Sequence, residues 1–158
     1  MEFISLVANL SETTFQEIIT ASPRRIRETL FGRLGIKAKK KGVGIKVHGR
    51  LEERTRKLHE KLKAGESKQE NDLCEELLRN WLYGQRPLLK DTLDFLGVDN
   101  DNGLIDTEPD FFAELDEDKV AALWTHLREA GHPPEHAFIY LRFVSTPHLD
   151  KVFDAAAA

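Results

Sequence analysis

The apolar residues of the second half recur at helical spacing, and that periodicity restricts the chain to a mainly α fold. Leu73, Cys74, Leu77, Leu78, Trp81 and Leu82 fall three and four apart, on one face of a single helix. Ser67-Lys68-Gln69-Glu70 ahead of them has the form of a capping box, and Gly84 predicts a stop near residue 83. Pro87 suits the first turn of the next helix, with Leu89, Leu93 and Leu96 inward and Gly97 at its C-terminal end. These two helices predict a hairpin. A second hairpin is expected from a helix capped by Asp116 or Asp118, carrying Val120, Leu123, Trp124 and Leu127 and ended by Gly131. Its partner would be opened by Pro133-Pro134 and run through Phe138, Leu141 and Val144. The dense aromatics and β-branched residues of HAFIYLRFV (136–144) suit a buried strand as well, and the preceding prolines favour the helix.

Length and composition set the bounds around this core. With 158 residues and 41% apolar content, the chain closes one ordinary core or two small ones. The start MEFISLVANL has no basic leader region, and no run approaches the roughly 20 apolar residues of a membrane span. A soluble, unprocessed protein is expected. The single cysteine, Cys74, has no internal disulfide partner, which fits a reducing cytoplasm, and its place on the apolar stripe predicts a small core residue. The phrases RETLFGRLGI (27–36) and KDTLDFLGV (90–98) look alike, but similar helix-ending needs produce them without duplication. Ala155–Ala158 is expected to be a non-native tail or a frayed helix end.

Charge is distributed unevenly. Residues 24–63 carry fifteen Lys and Arg against four acids, whereas residues 99–118 carry nine acids and no Lys or Arg, within a net charge of −4. A strongly basic stretch attracts polyanions whatever the overall balance. The segment 50–64 is charged except for a narrow stripe of Leu51, Thr55, Leu58 and Leu62, which predicts a largely solvated helix touching the body, or a partner helix, along a thin seam.

One pattern near the N-terminus bears on function. In FQEIITASPRRI (15–26), Phe15, Ile19 and Ile26 stand where a helix-turn-helix has its buried anchors, and Ser22-Pro23 offers an N-cap and first-turn proline for the second helix. Arg24, Arg25 and Arg27 would then occupy the end of a recognition helix that enters the major groove. IKAKKKGVGIKV (36–47) has the form of two short strands around a basic turn, that is, of a wing. In this respect residues 1–50 resemble the winged helix-turn-helix class of DNA-binding domains, with Thr20 where the class usually has glycine and Gln16 where it usually has a small residue. The resemblance implies contacts by Arg24, Arg25, Arg27 and Arg33, with Lys37, Lys39, Lys40, Lys41 and Lys46 mostly on phosphate. No aromatics interleave with the basic run, which disfavours base stacking on a single strand.

Three further strings fail on their chemistry. GVG in KKKGVGIK lacks the other glycine and the Lys-Ser/Thr ending of a phosphate-binding loop. His132-Pro-Pro-Glu135-His136 spells a zinc-peptidase string, but the prolines place His132 at or before a helix start, where it cannot share a helical face with His136. Around Gly103, a calcium-loop register would begin at Val98 and end at Pro109, neither of which is a ligand. The acidic stretch is therefore expected to be a turn between hairpins, able to fold over the basic face or pair with a basic partner.

The resulting expectation is a mainly α chain with a basic unit at 1–50, a charged linking helix at 51–66, a helical bundle at 67–154 and a tail at 155–158. No enzymatic site, metal or cofactor is expected. The first functional expectation is a cytoplasmic protein that binds nucleic acid, double-stranded DNA above all, with the bundle dimerising or receiving a signal from another protein. The alternative is a helical adaptor whose basic and acidic segments dock protein partners. On that reading Arg27 and Arg33 would be tied into internal ion pairs with the acids of 99–118.

Overall fold

The computed structural model describes residues 2–36, 48–66 and 69–157, and what it describes is helical, as the periodicity requires. In chain order the elements are α1 (Phe3–Ala8), α2 (Glu12–Ala21), α3 (Arg24–Arg33), α4 (His48–Lys63), α5 (Asn71–Tyr83), α6 (Arg86–Phe95), a short 3-10 helix (Asp110–Glu114), α7 (Glu117–Glu129), α8 (Pro134–Phe143) and α9 (Leu149–Ala157). No strand occurs among the described residues; the nearest approach is one isolated antiparallel bridge between Asp101 and Leu104. The expected two-stranded wing is thus unsupported, and its residues 37–47 lie outside the described ones. The segment 136–143 resolves as helix, with Val144 as its C-cap, because Pro134 pre-sets the backbone of its first turn.

The chain divides into two compact units, 1–81 and 82–158. In the first, α4 packs against both α1 and α2. The stripe read from sequence is buried at Thr55, Leu58 and Leu62, and His59 is buried beside it. Phe15, Ile19 and Ile26 are buried as the helix-turn-helix spacing predicts, joined by Ile18, Leu30 and Phe31. Ser22 does not cap α3. Its hydroxyl donates back to the Ile19 carbonyl at 2.6 Å, closing α2, and Pro23 precedes α3 without a side-chain cap. α5 begins at Asn71 rather than inside the expected capping box, of which Ser67 and Lys68 lie outside the described residues. Glu70 is buried and turns to an arginine of α3 instead.

In the second unit α7 is the hub, packing on α6, α8 and α9. Leu88, Leu89, Leu93, Val120, Leu123, Trp124, Leu127, Ile139 and Leu141 form its core. Gly97, at φ +71°, ends α6 as the sequence predicts: its amide reaches the Asp94 carbonyl and the Val98 amide reaches Leu93, the paired bonds of a Schellman stop. The connection from α6 to α7 is more than an acidic turn, since its 3-10 helix buries Phe112 edge-on to Tyr140 at 5.9 Å between ring centroids. α9 carries no clear periodic signal in the sequence. Leu149 and Val152 are buried, and Phe153 lies against Trp124 and Phe138.

Of the two candidate caps for α7, Asp116 is the one used: its Oδ1 accepts from the Lys119 amide at 2.8 Å, with Glu117 and Asp118 in the first turn where carboxylates are favoured. Asp116→Ala is expected to cost about 1 kcal/mol of stability, read as a shift in urea midpoint at constant slope. No shift in that midpoint would remove Asp116 as the anchor of the hub helix.

Candidate polyanion interface

The candidate interface begins with the arginines of α3, because the sequence places them at the exposed start of a helix behind buried anchors. Ile26, Leu30 and Phe31 fix which face of α3 is inward. That leaves Arg24, Arg25 and Arg33 exposed and Arg27 half-buried. Exposure is not the same as available charge. Arg25 donates to Glu76 at 2.7 Å, and Arg33 donates to the buried Glu70 at 2.7 Å, both carboxylates being supplied by α5 or the residue before it. Among the described residues Arg27 reaches only the Ser22 carbonyl, at 3.5 Å, and its buried Nε has no hydrogen-bond partner. Arg24 has no carboxylate paired with it among the described residues, although its charge helps hold Glu28 ionised.

The residue that organises this corner escaped the sequence reading. Arg54 of α4 grips Glu28 of α3 through two bonds of 3.1 and 2.9 Å, lies over the Phe31 ring at 4.2 Å and reaches the Ile36 carbonyl at 3.4 Å. Its guanidinium holds the Glu28 carboxyl below the ordinary value, against the opposing effect of burial. Such a forked, stacked contact fixes α3 against α4, and the planar fork is what lysine lacks. One signal pointed to it: Arg54 stands four residues before Leu58 and three after Leu51, on the flank of the apolar stripe.

The remaining candidates, Lys37, Lys39, Lys40, Lys41 and Lys46, lie outside the described residues. Their charge follows from sequence alone. Residues 37–50 carry six Lys and Arg and no acid, whereas the rest of the unit, residues 1–36 and 51–81, carries eleven Lys and Arg against twelve acids, a balance of −1. The helical frame therefore neutralises itself, and the cationic surplus of the unit belongs to 37–50.

In the other unit, all nine acids of 99–118 are exposed, and among them only Glu117 has an ion-pair partner, Lys151 at 3.2 Å, among the described residues. His132 Nε2 sits 2.6 Å from Asp91, which gives the first histidine of the zinc-like string a partner before the helix starts. No group of three or more His, Cys, Asp or Glu side chains comes together as a metal site among the described residues. Cys74 is fully buried, and burial pushes its thiol up to about 12, far from a reactive thiolate. No helix among the described residues is long and apolar enough to cross a membrane. No family model matches the sequence, and neither a curated protein nor a solved structure matches it.

Proposed function

We propose that this chain is a cytoplasmic nucleic-acid-binding protein that holds double-stranded DNA electrostatically through residues 37–50, with Arg24 as the helical residue best placed to assist. The observation that carries the reading is the commitment of two α3 arginines: Arg25 and Arg33 are paired with Glu76 and Glu70, while the acid-free run of cations spans the segment between α3 and α4 and reaches Arg50 in the first turn of α4. This differs from groove entry by a recognition helix. Phosphate contact by lysines gives affinity with little sequence information.

Fluorescence anisotropy with labelled random duplex DNA tests it. Six phosphate contacts imply a loss of roughly 10³-fold in affinity between 50 and 200 mM salt. No binding even at 50 mM salt retires the nucleic-acid reading.

The exposed acids of 99–118 favour a second reading, an adaptor that docks a basic protein partner, with or without self-association of the C-terminal unit. On that reading DNA fails to bind, and a basic partner is captured in a salt-sensitive manner by the wild type but not by a chain with these acids changed to Asn and Gln.

A further inference from the structure

The most unusual buried group in the first unit is His59. Its side chain is 3% exposed and lies flat on Phe15 of α2, ring centroids 4.2 Å apart and planes 10° from parallel. Its Nε2 is buried with no hydrogen-bond partner among the described residues. A neutral imidazole tolerates this arrangement, since an unprotonated ring nitrogen in an apolar setting forgoes only one weak acceptor bond. An imidazolium is disfavoured, because a full charge would be buried and the Nε2 side of the ring has no hydrogen-bond partner among the described residues.

We propose that His59 is a pH-sensitive latch, neutral when α4 is seated on α1 and α2 and released from its place on Phe15 when the imidazole gains a proton. The groups around it come from each helix packed there. From α4, Lys63 stands one turn on and repels a second positive charge; from α2, Glu12 attracts it; from α1, the Ala8 and Val7 carbonyls accept hydrogen bonds from the ring and favour its charged form. Burial outweighs these attractions and holds the imidazole below its ordinary value.

The sign of the linkage follows. The unfolded chain takes up a proton at His59 near the ordinary value of 6.5, and the folded chain does so only at lower pH. Stability from this residue is therefore complete above that value and is lost as pH falls through it toward the depressed folded value. Glu28 acts with the same sign, but its loss of stability begins only as pH falls through its own ordinary value of 4.5, more acid than where the His59 loss begins. Mildly acidic conditions address His59 and not the Arg54 fork.

The test compares wild type and His59→Leu, the full chain in each case, by denaturant unfolding at pH 7.5 and 5.5. Between pH 7.5 and 5.5 the wild-type unfolding equilibrium constant is expected to rise by up to about tenfold more than that of His59→Leu, one proton's worth of linkage. Equal pH responses in the two proteins overturn the proposal. Should His59→Leu not fold, the wild-type imidazole is followed by NMR. Titration below the ordinary value, together with loss of amide protection in α4, supports the latch; titration at the ordinary value with protection unchanged overturns it.

Discussion

Gly103→Ala is expected to destabilise the chain by about 3 kcal/mol, which for cooperative unfolding of a chain this long lowers Tm by roughly 6–12 °C. Two independent costs combine at this position. Gly103 has φ +87°, a backbone conformation that a side chain resists. An added Cβ would also stand 2.8 Å from Leu89 Cβ, 3.0 Å from the Lys90 amide nitrogen and 3.1 Å from the Arg86 carbonyl, so that α6 would have to move. The loop has little freedom to yield, since Asn100 accepts the Gly103 amide at 2.8 Å and Asp101 exchanges backbone bonds with Leu104. Gly32→Ala is the control. It lies within α3 with nothing within 4 Å of a built Cβ, so it is expected to be neutral or to stabilise by up to about 1 kcal/mol. Equal Tm values for the two variants would mean that the loop does not press on α6 as described.

Changing Lys37, Lys39, Lys40, Lys41 and Lys46 together to Gln is expected to abolish most duplex binding, by about 10³-fold or more at low salt, because five of the six uncompensated cations of 37–50 are removed. Far-UV circular dichroism and the thermal midpoint of the variant establish whether the fold is kept. Unchanged affinity in a folded variant would move the interface elsewhere, and Arg24 with the exposed faces of α4 would be the remaining basic surface.

Helices were legible in this sequence where an apolar stripe and a terminal signal coincide. α5, α6 and α7 met both conditions: α5 through Cys74, Leu77, Leu78, Trp81 and the stop at Gly84, α6 through Leu89, Leu93 and Gly97, and α7 through Asp116 and Leu123. α9 met neither, because its inward residues Leu149 and Val152 are too few to set a period and its start follows His148 in a left-handed conformation that no glycine announces. Phe112 was hidden by its acidic neighbours: a run of carboxylates reads as solvated even when one aromatic within it is buried.

The candidate site was legible as charge but not as pairing. Sequence shows that Arg25 and Arg33 are basic and helical, yet their partners Glu76 and Glu70 lie 51 and 37 residues away, beyond any local rule. The adaptor reading expected Arg27 and Arg33 to pair with acids of 99–118; Arg33 pairs instead with Glu70, and Arg27 has no carboxylate partner among the described residues. Arg54 shows the same limit from the other side, since its hold on Glu28 spans 26 residues and depends on how α3 and α4 meet. Buried His59 was concealed by its own element, where charged residues on both sides suggested a solvated face.

The most direct measurement sets two folded variants side by side in salt titrations of duplex binding: the five-lysine variant, and Arg24→Ala combined with Arg25→Ala. With each phosphate contact contributing roughly 0.9 to the log–log slope, the lysine variant is expected to lose a slope of about 4.5, and the arginine pair no more than about 1, since Arg25 is already matched by Glu76. The reverse pattern, a slope that survives loss of the lysines and collapses with the arginines, contradicts the assignment and restores α3 as the element that meets DNA.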